Sequence, residues 1–266
     1  METANLQIAI IGAGNMGGAI ARGLAKGKLI QSKNIRVSDV SQANLDAIKA
    51  FDAEITVGTS NRDMIEGADI IMLAVKPWLV EVIAEEIENK INYEKQIIVS
   101  IAAGVDFGKM VELFDKQATI FRVIPNTAID VLQSVSTISS FNAKKEQEEL
   151  VVAMFAELGK AFLVPEVQLN AFMSLSSCGI AYAFRYIRAA MEGGVEMGIY
   201  PGVAKDVVIQ TLRGAIDLLE ANASHPEMEI DKVTTPGGIT IKGLNEMEAH
   251  GFTNAVIKGL KASHLK

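Results

Sequence analysis

The chain has 266 residues and a formal net charge of −7, and 49% of its residues are hydrophobic against 21% charged. This composition excludes a disordered chain and is sufficient for two domains. Binding along a nucleic acid needs a concentrated basic face, which the sequence lacks, so we expect no nucleic-acid partner.

The chain has one cysteine, Cys178, which excludes an intrachain disulfide and a cysteine-based metal site. This usage is typical of a reducing, cytoplasmic setting, and we expect neither a metal nor a signal peptide. The apolar stretch 171–190 is interrupted by Arg185 and Arg188, so we interpret it as a buried helix and expect no membrane partner.

Short β-branched runs alternate with amphipathic segments over the first half of the chain. Strands are predicted at residues 6–11, 35–39, 55–57, 70–75, 97–101 and 119–123, with helices between them such as 16–26 and 45–51. This alternation indicates an α/β fold with a doubly wound parallel sheet covered on both faces. Residues 134–140 and 162–164 flank a helical segment at 144–158 and are expected to extend the sheet.

The pattern becomes helical after Pro165. One apolar-periodic stretch covers 169–197, and a second helix begins at Pro201 and continues to about residue 222. A loop with His225-Pro226 and two glycines is predicted next, and the tail from Thr240 is helical again. We therefore predict two domains, 1–165 with the sheet and 166–266 all-helical.

A glycine-rich turn follows the first predicted strand and reads Gly12-Ala13-Gly14-Asn15-Met16-Gly17. In this pattern the first glycine permits a tight turn, the second lets the backbone approach a pyrophosphate, and the third lets helix and strand pack closely. The pyrophosphate would lie at the helix N terminus, where unpaired N–H groups favour anions. The motif predicts a Rossmann-type, dinucleotide-binding N-terminal domain, against the alternative of a purely structural turn.

Asp39 lies at the end of the second predicted strand, about where an acidic side chain binds the adenosine ribose of NAD. No arginine follows to neutralise a 2′-phosphate, which favours NADH, although Ser38, Ser41 and Gln42 offer hydrogen bonds to a phosphate. The alternative is that Asp39 caps the next helix. The preference between NADH and NADPH stays open.

Three further turns follow predicted strands: Ala74-Val75-Lys76-Pro77, Ile101-Ala102-Ala103-Gly104 and Arg122-Val123-Ile124-Pro125-Asn126-Thr127. Ligands of open α/β sheets bind beyond the carboxyl ends of the strands, so the first two are expected to line the cofactor crevice and the third the nicotinamide pocket. Locally, Lys76 is equally explained as a solvated lysine, and the third turn as a plain loop.

The most unusual segment is Val233-Thr234-Thr235-Pro236-Gly237-Gly238-Ile239-Thr240, which leads into a helix. Two glycines after a proline expose successive N–H groups before a helix N terminus, which makes a cradle for a carboxylate. The hydroxyls of Thr235 and Thr240 flank it. The alternative is that Thr240 is a helix cap and the glycines are turn residues.

These segments together resemble the pyrroline-5-carboxylate reductase family, which catalyses the last step of proline synthesis. The resemblance rests on IIGAGNMGGAIARGL, AVKP, IAAG, RVIPNT and VTTPGGITIKGL, in family order and with family-like spacing over essentially the whole chain. The last of these motifs is close to diagnostic.

The resemblance implies reduction of 1-pyrroline-5-carboxylate, a cyclic imino acid, to L-proline with NADPH or NADH. The residues implied to contact the cofactor are Gly12, Ala13, Gly14, Asn15, Met16, Gly17, Ala74, Lys76, Pro77, Ala102, Ala103 and Gly104. Asp39 and Val75 are expected to contact it because they lie at the carboxyl ends of predicted strands. Asn61 would contact the adenosine side, and Asn126 and Thr127 would lie beside the nicotinamide.

The resemblance also assigns the C-terminal loop. Thr235, where the family usually has serine, and the N–H groups of Gly238 and Ile239 would hold the substrate carboxylate. Thr240 would hydrogen-bond the ring nitrogen. A protonated cyclic imine is already a strong electrophile, so its reduction needs positioning more than a strong base. We accordingly predict the three histidines, His225, His250 and His264, to be surface residues.

The chain departs from the family at Ser176-Ser177-Cys178-Gly179-Ile180-Ala181-Tyr182, where the family has SGSGPAY, and it lacks the family's arginine after the second strand. We predict Cys178 to be a buried small residue rather than a reactive one. The resemblance implies a homodimer that assembles into a higher homo-oligomer, often five dimers. The alternatives are a reductase of another cyclic imine or small carboxylic acid, and a non-catalytic dinucleotide sensor.

Overall fold

In the computed structural model, which describes residues 5–264, the predicted strands assemble into one sheet in the first of two units, Met1–Ser177 and Cys178–Lys266. The strands are β1 (Ile8–Ile11), β2 (Ile35–Ser38), β3 (Thr56–Gly58), β4 (Ile70–Leu73), β5 (Ile97–Ser100), β6 (Thr119–Ile124), β7 (Ser134–Phe141) and β8 (Gly159–Leu163). Their order is β3-β2-β1-β4-β5-β6-β7-β8.

Helices cover both faces of this sheet. They are α1 (Asn15–Lys26), α2 (Gln42–Phe51), α3 (Asn61–Ile65), α4 (Val80–Ile87), α5 (Phe107–Leu113), α6 (Lys145–Ala156) and α7 (Leu169–Met173). Alternate residues of β1 enter different cores: Ile8 and Ile10 pack in a cluster with α1, α2 and α6, whereas Ala9 and Ile11 pack in another with α4 and α5. Burial on both faces explains why the strands are almost continuously apolar and confirms the α/β prediction.

The last two strands extend the sheet, as predicted, and introduce one antiparallel pair. Strands β1 to β6 pair in parallel, but β7 is antiparallel to β6, and β8 is parallel to β7. The link from β6 to β7 contains only a short 3-10 turn, Thr127–Val131, and a parallel return needs a crossover of a dozen or so residues. The crossover through α6 does allow β8 to be parallel to β7. The last strand also begins three residues before the predicted 162–164.

The second unit is helical and consists of α8 (Gly179–Glu196), α9 (Pro201–Asn222), α10 (Pro226–Val233), α11 (Ile239–Ala249) and α12 (Phe252–Ala262). Helix α10 lies where the sequence predicted a loop. His225-Pro226 begins this helix, because the His225 ring caps it and proline suits the first helical position. None of the helices in residues 5–264 is long and apolar enough to cross a bilayer. The boundary near residue 165 stays a prediction.

Apolar side chains of the second unit are mostly exposed. Among its described residues only Gly194 and Ala204 are buried, and a Cβ at Gly194 would lie 3.2 Å from the Ala204 Cβ. Helices α8 and α9 therefore pack through small residues, while Phe184, Met197 and Tyr200 are 62%, 78% and 83% exposed. A hydrophobic surface of this extent indicates an interface.

Glu229 of α10 joins the end of α9 to α10. Its carboxylate accepts hydrogen bonds from Lys232 Nζ, Ser224 Oγ and Asn222 Nδ2. The bonds from Lys232 and then Ser224 lower the pKa of Glu229 from 4.5 to about 2, with a smaller contribution from Asn222. The ionised form of this carboxyl is therefore the one that stabilises the junction.

We expect Glu229→Gln to lower the thermal midpoint near neutral pH, because the amide loses the charge-assisted hydrogen bonds. The pKa of the folded state is depressed, so the contribution of Glu229 is complete above pH 4.5 and is lost as the pH falls towards about 2. Thermal melts at a series of pH values should show the difference in midpoint between the variant and the native chain shrinking as the pH falls from 4.5 towards about 2. Asp217→Asn, at an exposed position of α9, is the control. A deficit that does not change with pH would contradict the prediction.

Candidate functional site

The predicted cofactor residues lie at one edge of the sheet in the first unit. Residues 12–17 follow β1, Asp39 follows β2, 74–77 follow β4, 102–104 follow β5, and Asn126 and Thr127 follow β6. These strands are parallel, so all five segments extend beyond the same, carboxyl edge. The chain leaves β1 towards β2 on one side and returns to β4 on the other, which is the switch point where such sheets bind ligands.

The glycine turn is built so that β1, β4 and α1 approach closely. Gly12 has φ +101°, and a Cβ there would lie 2.5 Å from the Ala74 carbonyl oxygen. A Cβ at Gly17 would lie 2.0 Å from the Gly12 carbonyl oxygen and 2.8 Å from the Ala74 Cβ. Neither contact is possible for a real side chain, so both positions require glycine for packing.

Gly14 differs from the other two glycines, because a Cβ there would meet no atom within 4 Å. It precedes the first residue of α1, and no described side chain caps this helix. Open space beside uncapped N–H groups is the cradle that a pyrophosphate needs. The turn therefore fits a dinucleotide, and a side chain at Gly14 would occupy the ligand's place rather than disturb the fold.

Asp39 is bonded directly to the glycine turn. Its Oδ2 accepts the Ala13 N–H at 2.6 Å, and its Oδ1 accepts the Ser41 N–H at 2.7 Å. Ser41, not Asp39, caps α2 by accepting the Asn44 N–H. The carboxylate is consequently fixed at the carboxyl edge, beside the open Gly14.

The turns after β4 and β5 are tied to their neighbours through the backbone. The Ala74 N–H donates to the Ile11 carbonyl at 2.8 Å, and the Ile101 N–H donates to the Leu73 carbonyl at 3.1 Å. Lys76 and Gly104 are exposed. Their backbones are thus fixed while their outer surfaces remain accessible to a ligand.

Asn126 organises the turn after β6. Its buried side chain accepts the Ala128 N–H through Oδ1 and donates through Nδ2 to the Ser176 carbonyl at 3.4 Å. Thr127 is exposed. The structure therefore gives Asn126 a turn-forming contact and leaves Thr127 accessible at the edge.

Asn61 begins α3, and its Nδ2 donates to Glu86 Oε2 of α4 at 2.7 Å. Glu86 carries no sequence signal for this contact, because 25 residues separate the pair and Glu86 belongs to no motif. The packing of α3 against α4 brings the two side chains together.

The C-terminal loop, in the second unit, forms a tight turn before α11. The Gly238 N–H donates to the Thr235 carbonyl at 2.9 Å, and Gly237 has φ +72°. Proline at the second position and a left-handed glycine at the third are typical of a type II turn. Thr235, Ile239 and Thr240 are exposed, and no described side chain caps α11. Of the alternative stated above, Thr240 does not cap the helix, whose N-cap is Gly238, whereas both glycines do lie in a turn.

Comparison with known proteins assigns the family. A family model described as pyrroline-5-carboxylate reductase dimerisation matches residues 166–266, and one described as NADP oxidoreductase coenzyme F420-dependent matches residues 7–104. A pyrroline-5-carboxylate reductase of Methanosarcina acetivorans is 34% identical, with 97% of each chain covered. The chain belongs to the pyrroline-5-carboxylate reductase family.

Other relatives agree with this assignment. Pyrroline-5-carboxylate reductase 1 of Dictyostelium discoideum is 35% identical over 96% of this chain, which spans about half of that relative (48%). The crystal structure of the Plasmodium falciparum pyrroline carboxylate reductase with NADP bound has a TM-score of 0.88 and 25% identity, and it covers 98% of this chain and 96% of its own.

The remaining candidate residues of this reductase-family chain are peripheral. His225, His250 and His264 are all exposed, as predicted, and His225 and His250 make only local contacts with Glu227 N–H and Glu246. Cys178 is half-buried in a π-helical turn, Ser174–Cys178, rather than fully buried. No described group of three histidine, cysteine or acidic side chains is arranged to hold a metal ion.

Gly14→Val tests whether the glycine turn at the carboxyl edge of the sheet, here called the nucleotide edge, binds a nucleotide. We expect loss of nucleotide binding, because the added side chain fills the open cradle, with little change in the free energy of unfolding. The comparison variant is Gly17→Ala, which should cost roughly 1–3 kcal/mol or more in stability because its Cβ has no room. Calorimetric titration with NADH and chemical denaturation measure the two effects. Intact binding by a folded Gly14→Val would refute the assignment of the cradle.

Proposed function

We propose that this chain reduces 1-pyrroline-5-carboxylate to L-proline with a reduced nicotinamide dinucleotide. The observation that carries the proposal is the turn of Thr235 to Gly238 at the uncapped N terminus of α11, in a chain whose first unit has a nucleotide-binding edge. The family to which the chain belongs supports the same reaction. When bound, the reduced nicotinamide supplies the hydride.

The first unit holds the nucleotide in this proposal. The N terminus of α1 and the open Gly14 bind the pyrophosphate, and Asp39 and Asn61 bind the adenosine side. The turns at 74–77 and 102–104 border the pyrophosphate and ribose, and Thr127 lies beside the nicotinamide. Asn126 acts by shaping that turn, since its amide oxygen accepts the Ala128 N–H. Residues with little freedom of movement suit a reaction that depends on positioning.

The turn before α11 holds the substrate carboxylate. The Thr235 hydroxyl donates to it, and Ile239 presents the first free N–H of the helix, where the helix dipole also favours an anion. The Gly238 N–H, which already donates to the Thr235 carbonyl, contributes a shared bond at most and mainly fixes the turn.

Thr240 lies one residue further along α11, and its hydroxyl hydrogen-bonds the ring nitrogen of the imine. A hydroxyl titrates far above neutral pH, so Thr240 orients the ring and passes a proton between the nitrogen and water rather than acting as a poised acid. The proton that makes the imine electrophilic ends on the amine of proline. The exposed histidines need play no part in this sequence.

The proposal is tested by following the loss of ultraviolet absorbance of NADH and NADPH with 1-pyrroline-5-carboxylate as substrate. Thr240→Ala should lower kcat by about 100-fold, which is the lower end of the rate loss expected when a proton-transfer group is removed. The affinity for the nucleotide should be unchanged. Thr240→Ser keeps the hydroxyl and is the matched control. No turnover by folded protein that binds nucleotide would overturn the proposed reaction, and unchanged kcat in Thr240→Ala would remove that residue from it.

We further propose that the active form is at least a homodimer built through the second unit and located in the cytoplasm. The exposed apolar side chains of α8 and α9 and the match to a dimerisation family support association through this unit. Assembly of dimers into a larger ring stays a prediction. The single cysteine suits a reducing compartment.

Light scattering of the purified chain should give a molar mass of at least twice the 28.5 kDa of one chain. Phe184→Arg places a charge in the exposed apolar surface of α8 and should lower that mass or cause unfolding. Gln117→Arg adds the same charge at an exposed position of the first unit and should change nothing. A monomeric native chain would contradict the proposed dimer.

A further inference from the structure

The adenosine side of the nucleotide edge carries a fixed negative charge. Asp39 accepts the Ala13 N–H of the glycine turn and the Ser41 N–H, so it cannot swing away from the turn without losing both bonds. Each carboxylate oxygen has a second lone pair, which leaves two acceptor positions for other donors. The two hydroxyls of an unmodified ribose are such donors.

The side chains that the sequence offered as phosphate ligands are either buried or already hydrogen-bonded within the protein. Ser38 is completely buried, and the Ser41 hydroxyl accepts the Asn44 N–H as the cap of α2. Gln42 Nε2 donates to Asp46 Oδ1 at 2.8 Å. The Ser41 O–H and the second Gln42 N–H remain as neutral donors, so the turn after β2 presents the fixed Asp39 carboxylate without a cation.

The nearby cations are also engaged elsewhere. Between residues 35 and 65, all of them described, the basic residues are Arg36, Lys49 and Arg62. Arg36 donates to the Glu66 carbonyl and to Gln7 at the amino end of the sheet, Lys49 donates to the Ala53 carbonyl, and Arg62 donates to the Glu86 carbonyl. A 2′-phosphate beside Asp39 would therefore meet a like charge and no neutralising partner from this segment.

We propose that Asp39 makes this enzyme selective for NADH over NADPH. The inference rests on the proposed function only in assigning the nucleotide to this edge. The Asp39 carboxylate accepts hydrogen bonds from the ribose hydroxyls of NADH, and it repels the phosphate that NADPH carries at the 2′ position.

Binding without turnover tests the inference. Calorimetric titration of the full chain with NAD⁺ and NADP⁺ should show NAD⁺ binding at least ~10-fold more tightly at low salt, because the charges lie within a few ångströms of each other. The ratio of the NAD⁺ affinity to the NADP⁺ affinity should fall towards one as salt is added, since exposed charges are screened. AMP should likewise bind more tightly than 2′-phospho-AMP. NADP⁺ binding as tightly as NAD⁺, or more tightly, would overturn the inference.

Two variants change the selectivity in different ways. Val40→Arg introduces a guanidinium at a side chain that is 98% exposed, so the fold is unaffected, and NADP⁺ affinity should rise by about 10-fold with NAD⁺ affinity nearly unchanged. Gln117→Arg, at the amino edge, controls for net charge and should leave both affinities as they are. Asp39→Asn should weaken NAD⁺ and strengthen NADP⁺. If Val40→Arg and Asp39→Asn leave the ratio unchanged, Asp39 does not set it.

The test of nucleotide selectivity and the test of the proposed reaction can fail independently of each other. A preference for NAD⁺ in a protein that does not reduce 1-pyrroline-5-carboxylate would uphold Asp39 as the selector and reject the reaction. Turnover of the imine with equal use of both cofactors would uphold the reaction and reject Asp39 as the selector.

Discussion

The close fit of the glycine turn between β2 and β4 is the constraint on which the nucleotide edge depends. Gly12 and Gly17 leave no space for a Cβ against Ala74 and against each other. Backbone hydrogen bonds then join this part of the chain to both neighbours, from the Gly12 N–H to the Ser38 carbonyl and from the Ala74 N–H to the Ile11 carbonyl. With both sides fixed, α1 has to begin at the carboxyl edge, where its uncapped N–H groups can bind an anion.

The stability of the second unit depends on a different contribution, the burial of apolar surface against the cost of ordering the chain. Ordering a residue costs about 1–2 kcal/mol of backbone entropy, and burying a large apolar side chain returns roughly 1.5–3 kcal/mol. Among the described residues of this unit only Gly194 and Ala204 are buried, so helices α8 to α12 gain little from their own packing. The proposed association with a second copy would bury apolar surface that one chain leaves exposed, so the stability of this unit would depend on its assembly.

Sequence periodicity predicted the elements that depend on local pattern. The parallel strands, α1 and the glycine turn lie within a few residues of their predicted positions, because burial on two faces imposes a recognisable apolar run. Long-range contacts were not predictable in the same way. The direction of β7 depends on the length of one connection, Asn61 pairs with a glutamate from another helix, and α10 begins at a proline that also suits a loop. The partner of Asn61 has no signal in its own segment, and the proline that begins α10 is compatible with a helix start as well as with a turn.

The turn before α11 shows how a site can work without a titrating catalytic group. Gly237 adopts a left-handed conformation, and a Cβ at Gly238 would lie 2.6 Å from Thr235 Oγ. Glycine at position 238 therefore leaves the room that this hydroxyl occupies, and threonine, which is stiff at χ1, restricts its orientations before any ligand arrives. The proposed carboxylate then meets donors that are already in place, and binding energy is not spent on ordering them. The imine that follows carries its own electrophilic character, so accurate placement against a hydride donor is the main requirement.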